Sequence, residues 1–231
     1  AGTPVVVGLY DTPAELVGAG VVRPGQALLY YGTTTSVDVC THAFDAYLRD
    51  PAAIVDWAPY REVAYAVLGP VLPWVAAGLE PEGAVSTPPD LASLDDAASR
   101  ITPTSADPYV VPNFFAHARP EQPVRLPTIV GLDAGHSRPD LHRAVLESYG
   151  FAARAGLESA GDDASRMQLI ATGGGARSAF WRQLVTDVLG VEQRWRPAVD
   201  AASGSAALAA WATCGADVFS PGGWSRNEAA V

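Results

Sequence analysis

Met167-Gln168-Leu169-Ile170-Ala171-Thr172-Gly173-Gly174-Gly175-Ala176-Arg177-Ser178 is the stretch on which the reading of this chain turns. Met167–Ala171 is a short apolar run bounded by turn residues, the pattern of a buried strand. Thr172–Gly175 is a tight turn. Ser178 to Leu189 reads as a helix. Glycines at such a junction let a ligand approach the backbone, and a helix N-terminus offers N–H groups that lack intrahelical partners. The same three glycines also serve a plain strand-to-helix connection.

Working outward, Glu192–Arg196 reads as a brief strand and Ala201–Cys214 as a helix of small residues closed by Gly215. The order strand, loop, helix, strand, helix indicates an α/β architecture. Upstream, Pro139–Ser159 is the longest helix candidate, with Leu141, Val145, Tyr149, Ala152 and Leu157 near one face. Tyr109–Pro112 is strand-like. Residues 81–108, rich in Pro, Asp, Ser and Ala, read as a surface excursion holding one short helix, Asp90–Arg100. Residues 61–79 read as mostly helical, interrupted by Pro70 and Pro73. Leu28–Tyr31 and Val37–Cys40 form two strands of a hairpin with Gly32–Ser36 as its polar tip. Val5–Leu9 reads as a buried strand leading into a helix that starts at Asp11-Thr12-Pro13.

Composition narrows the chemistry. The chain has 231 residues, 48% of them hydrophobic and 17% charged, so it can bury a sizeable core. All 15 basic residues are Arg. Without Lys there is no P-loop lysine, Schiff-base lysine or lysine general base. The net charge of -10, with no basic run, argues against a nucleic-acid partner. An anion would be held by backbone N–H groups, helix N-termini or single Arg residues. Cys40 and Cys214 make neither a zinc spacing nor a disulfide framework. His42, His117, His136 and His142 show no metal-ligand spacing, so each reads as a surface or hydrogen-bonded histidine. No stretch approaches a membrane span and no signal peptide opens the chain, so a soluble, cytoplasmic protein is expected.

Three further segments could carry chemistry. Hydroxyls and N–H groups at Gly32-Thr33-Thr34-Thr35-Ser36 can wrap a phosphate, or form an ordinary polar hairpin. Asp11, at the mouth of a helix, can be a general base for a hydroxyl, or an N-cap. Ala201–Ala210 can approach another backbone or a flat ligand closely, or simply pack tightly.

Together these segments resemble the C-terminal half of the FGGY carbohydrate kinases, the family of xylulokinase, ribulokinase and glycerol kinase. Ile129-Val130-Gly131-Leu132, seven residues, then Asp140-Leu141-His142-Arg143-Ala144-Val145-Leu146-Glu147 follow the family's second signature, departing at Pro127. Gly173 to Gln183 with Asp187-Val188-Leu189-Gly190 looks like its GGG-x-[KR]-S-x-x-W-x-Q-x-x-x-D-x-x-G adenosine segment. Ala202–Ala207 sits where members carry a G-A-A run, with Ser205 in place of Ala. Gly2–Asp11 is similar to the approach to the catalytic Asp, and Leu29–Thr34 to the second phosphate loop.

The resemblance implies an actin-like, ribonuclease H-like ATPase lobe with a mixed sheet flanked by helices, spanning residues 1–231. It implies ATP with Mg²⁺ and a sugar, a ketopentose such as xylulose above glycerol. Asp11 would take the proton from the attacking hydroxyl. Gly32, Thr33 and Thr34 would cradle phosphates. Gly174, Gly175 and Ser178 would line the adenosine pocket, with Gln183 behind them. No side chain is expected to hold a resident metal. The family's G-E-R-x-P is replaced by His117-Ala118-Arg119-Pro120, and no D-x-G-T first phosphate loop occurs. The N-terminal sugar-binding lobe is therefore expected to lie outside these residues, leaving the chain alone without kinase activity. Expected partners are the sugar, ATP, that lobe and a second copy of the chain. The alternative is a non-catalytic nucleotide-binding or interaction module derived from such a lobe.

Overall fold

A computed structural model describes residues 2–6, 8–49, 59–78, 90–112, 127–215 and 229–230. Strands β1 (Gln26–Tyr31), β2 (Thr34–Cys40) and β3 (Tyr60–Val67) form an antiparallel meander. β6 (Gln168–Thr172) adds parallel to β1, β7 (Gln193–Trp195) parallel to β6, and β8 (Ala229–Ala230) antiparallel to β7. The order is β3-β2-β1-β6-β7-β8. β4 (Tyr109–Val111) and β5 (Thr128–Val130) make a separate antiparallel pair.

Strand alternation sorts the core into two faces. Ala27, Leu29 and Tyr31 of β1 join Val37, Val39, Leu169 and Ala171 under α5 (Arg138–Ser159) and α6 (Ala179–Leu189). Leu28 and Ile170 point the other way, toward Leu16 of α1 (Asp11–Gly18). Beside them Val17 packs with Phe44 of α2 (Phe44–Arg49) and with Ala207 and Leu208 of α7 (Ala201–Cys214). The result is the mixed sheet flanked by helices of a ribonuclease H-like, actin-like ATPase lobe.

The helix ends follow from local chemistry. At the start of α5 the Asp140 carboxylate accepts from the Ser137 N–H at 2.7 Å. Asp200 caps α7 by accepting from the Ser203 N–H at 2.8 Å, and Gly215 ends it in the left-handed region. α4 (Leu91–Ser99), capped by Asp90, confirms the short helix of the excursion, of which residues 90–108 are described. It is tied down by His142 of α5, whose Nε2 lies 2.7 Å from Asp95 Oδ1.

Three expectations are corrected. Val5–Leu9 forms no strand among its described residues, and Val5 is 95% exposed. No described strand runs beside it to take its backbone hydrogen bonds. Residues 61–79 are not mostly helical: β3 occupies Tyr60–Val67, followed by the short α3 (Val71–Ala76). Pairing with β2 buries Ala64 and Ala66 alternately, and this cross-strand packing overrides helical spacing. Pro70 and Pro73 start α3, standing where first-turn N–H groups have no intrahelical partner. Finally, the hairpin tip is only Gly32–Thr33. Thr34, Thr35 and Ser36 already belong to β2, with Thr35 and Ser36 buried. His117–Pro120 lies outside the described residues.

Candidate functional site

Two loops leave the sheet side by side. β1 and β6 run parallel with Tyr30 opposite Thr172, so the chain after Tyr31 and the chain after Thr172 emerge at the same end. This C-terminal edge of parallel strands is where α/β sheets commonly take ligands. The first loop is Gly32–Thr33, the second Gly173–Arg177.

The glycines have physical reasons to be there. Gly173 has φ +97°, and a Cβ on it would lie 2.5 Å from the Tyr31 carbonyl oxygen. A Cβ on Gly175 would lie 3.1 Å from that same oxygen and overlap the Trp181 ring. Both glycines let the second loop close down over the end of β1. Gly174 differs: it is exposed, and a Cβ there would meet nothing within 4 Å. It is the open floor of the loop.

Below the loops the scaffold is stiff. Tyr31 is fully buried, with its ring edge-on to Tyr149 at 4.9 Å and to Trp181 at 5.1 Å. Its hydroxyl donates to Gln193 Oε1 at 2.6 Å. Gln193 Nε2 in turn donates to the Arg182 carbonyl and to Thr186 Oγ1. Burial pushes the Tyr31 phenol well up, against the opposing effects of Gln193 and Arg182. The Arg182 guanidinium stacks 4.2 Å from the Trp195 ring centre and donates to the Ala176 carbonyl, which holds the back of the second loop. The first loop is fixed from the other side, where the Gly69 N–H donates to the Thr33 carbonyl at 2.8 Å.

Asp11 opens α1, exposed, its Oδ1 accepting from the adjacent Thr12 N–H at 2.9 Å. It is not the N-cap, a position held by Tyr10 without a side-chain bond. α1 is held against α7, since a Cβ on Gly204 would overlap the Ala14 carbonyl and one on Gly18 would lie 3.0 Å from the Gly204 nitrogen. The small residues of Ala201–Ala210 are thus a close-packing device. Arg196, just after β7, donates to the Ala19 carbonyl at 2.6 Å and fixes the other end of α1.

Tyr30 links this helix to the first loop. Its phenol is pushed up by burial and by the nearby Glu15 and Asp11 carboxylates. Its ring lies against Gly32. Glu15, one turn after Asp11, is itself pushed up by burial, Asp11 and Asp200. Asp38 on β2 is 4% exposed and is pushed up to about 7 by burial, opposed by the Ser36 hydroxyl that donates to it at 2.7 Å.

The structure therefore gathers Gly32, Thr33, Thr34, Gly174 and Gly175 at one sheet end, while Asp11 stands exposed at the start of α1 with no hydrogen bond or ion pair to either loop among the described residues. Ser178 stands at the end of the second loop, but its Oγ accepts from the Trp181 N–H at 3.0 Å and caps α6. Gln183 is on an exposed face, donating to Asp187 at 2.7 Å rather than to either loop. Among the described residues, no group of three or more His, Cys, Asp and Glu side chains could hold a metal ion. No described helix is long and apolar enough to cross a membrane. Tyr30, Tyr31, Glu15 and Gln193 escaped the sequence reading. The alternation of Leu28–Tyr31 assigns the two tyrosines to opposite faces, but nothing local marks what they meet.

Comparison with known proteins gives a consistent picture. Residues 28–213 match the family described as the FGGY family of carbohydrate kinases, C-terminal domain. The chain is 31% identical over 221 residues to a xylulose kinase of Escherichia coli (strain K12), covering 90% of this chain and 43% of that protein. It is 28% identical over 219 residues to a glycerol kinase of Gloeobacter violaceus, covering 90% and 42%. The crystal structure of a xylulose kinase from Rhodospirillum rubrum superposes with a TM-score of 0.69 at 29% identity, covering 95% of this chain and 45% of that one. The chain thus spans less than half the length of the curated relatives it matches. Asp11 lies before the matched family segment.

Proposed function

The chain belongs to the FGGY family of carbohydrate kinases, and on that premise we propose that it is the nucleotide-binding lobe of a kinase that phosphorylates a ketopentose such as xylulose from ATP. The observation that carries this reading is the convergence of two glycine loops at the ends of the parallel strands β1 and β6. In phosphoryl transfer the protein chiefly positions reactants and neutralises charge.

The roles follow from chemistry and placement. Gly32, Thr33 and Thr34 receive the phosphates, Thr33 and Thr34 through their hydroxyls and Gly32 by leaving room, since its own N–H donates to the Thr34 carbonyl at 3.1 Å. The bare surface over Gly174, bordered by Gly175 and Ser178, takes the adenosine, with Gln183 on the flank. The glycine loops fit a nucleotide because Gly174 leaves its surface open. Mg²⁺ bound with the nucleotide would supply charge neutralisation at the phosphates, in a chain whose basic residues are all Arg. Asp11, exposed at the head of α1, accepts the proton of the attacking sugar hydroxyl. The sugar-binding half is supplied from outside these 231 residues.

Titration of the isolated chain with MgADP, followed by an ATP-plus-xylulose assay, tests the reading. Nucleotide binding without sugar phosphorylation is expected. Failure to bind any adenine nucleotide overturns it, and sugar-dependent turnover by the isolated chain overturns the two-lobe division.

A further inference from the structure

We propose that Tyr30 is a positioning residue of this site, the platform on which the first loop rests against α1; the inference rests on the nucleotide-lobe reading above. Alternation along β1 places Tyr30 on the α1 face, opposite the fully buried Tyr31. Leu28, two residues earlier on the same face, is 1% exposed, whereas Tyr30 is only half-buried. Its ring therefore sits at the margin of the Leu16, Leu28 and Ile170 cluster, packed on it but reaching beyond it.

What it reaches is Gly32. A Cβ on Gly32 would lie 2.9 Å from Tyr30 Cζ and overlap the neighbouring ring carbon, and would lie 2.9 Å from the Thr34 carbonyl oxygen. The loop thus lies on the ring with no room for a methyl group. On its other side the loop is fixed by the Gly69 N–H bond to the Thr33 carbonyl. Gly32–Thr33 is held between a ring and a backbone. The same ring packs on the cluster that includes Leu16 of α1, so one side chain spaces the loop from that helix.

A double-mutant cycle on MgADP affinity, measured calorimetrically on the full chain, tests this. Tyr30→Phe keeps the ring and should bind within about twofold of the parent. Tyr30→Ala and Gly32→Ala should each weaken binding by about tenfold, within the usual range of coupled contacts. Because Gly32→Ala acts largely by meeting the ring, it should cost at least about fivefold less in the Tyr30→Ala background. Thermal midpoints monitor folding, and Tyr30→Leu replaces Tyr30→Ala if the latter does not fold. Losses that multiply independently, or a Tyr30→Ala chain that binds like the parent, overturn the inference while leaving the nucleotide-lobe reading intact. A parent chain that binds no MgADP overturns both.

Discussion

Tyr31 Oη donates to Gln193 Oε1 at 2.6 Å across 162 residues of sequence, and both side chains are fully buried. This bond joins the strand that ends at the first loop to the strand beyond the second. Leaving a buried polar group unsatisfied costs about 1–3 kcal/mol. Gln193→Leu strands the fully buried Tyr31 hydroxyl and removes a second bond to the Arg182 carbonyl and one to Thr186 Oγ1, so it should sit toward the top of that range. Tyr31→Phe strands only Gln193 Oε1 and should cost less. Urea denaturation of the two variants checks the order, and equal stability of Gln193→Leu and the parent would sink it.

The glycine loop separates packing from ligand contact. Gly175→Ala must displace Trp181, whose indole N–H donates to the Leu146 carbonyl, so it should lower the thermal midpoint. Gly174→Ala meets nothing in the protein and should leave the midpoint unchanged, yet weaken MgADP binding by crowding the open floor. A Gly174→Ala chain that binds MgADP like the parent would remove Gly174 from the site.

Gly204 tests what holds α1 in place. A methyl group there overlaps the Ala14 carbonyl, a backbone atom with little freedom to yield. Gly204→Ala should destabilise by about 1–3 kcal/mol, the usual cost of overpacking. It should also shift Asp11 relative to the loops. An unchanged thermal midpoint would show that α1 and α7 are not in close register.

Asp38 gives a pH signature. Its carboxyl is near 7 in the folded chain, raised first by burial and also by Glu62 and Glu15, while the Ser36 hydroxyl opposes the rise. The unfolded chain releases this proton near the ordinary value of about 3.9. Between those limits the folded state binds more protons than the unfolded one, so stability falls as pH rises from about 4 to 7 and levels off above. Asp38→Asn removes the charge and should gain on the parent as pH rises from about 4 to 7, with its largest advantage at pH 8 and its smallest below pH 4. Parallel stability-versus-pH curves for the two proteins would rule this out.

Local patterns made the later half of the fold legible. The strand at Gln168–Thr172, the helix from Ser178 and the long helix ending at Ser159 carry their own caps and periodicity. What misled lay where tertiary pairing decides. Tyr60–Val67 becomes a strand because β2 stands beside it, and the described residues of Val5–Leu9 stay irregular because no described strand does. The α2 helix had no strong local signal. Of the site, the glycines and Asp11 are visible in sequence, but each also fits a plain turn or cap, and only their order along the chain sets them apart. Tyr30, Tyr31 and Gln193 do not, because their roles come from neighbours more than 100 residues away or across the sheet.

The most direct test joins this chain to the N-terminal half of a related xylulose kinase and measures xylulose phosphorylation from ATP with Asp11 intact and as Asp11→Asn. General-base catalysis is typically worth about 10²–10⁴ in rate. The account requires turnover to fall by about that factor while MgADP affinity stays unchanged. Turnover that survives the substitution would contradict the assignment of Asp11 and, with it, the reading of this lobe as the half that drives phosphoryl transfer.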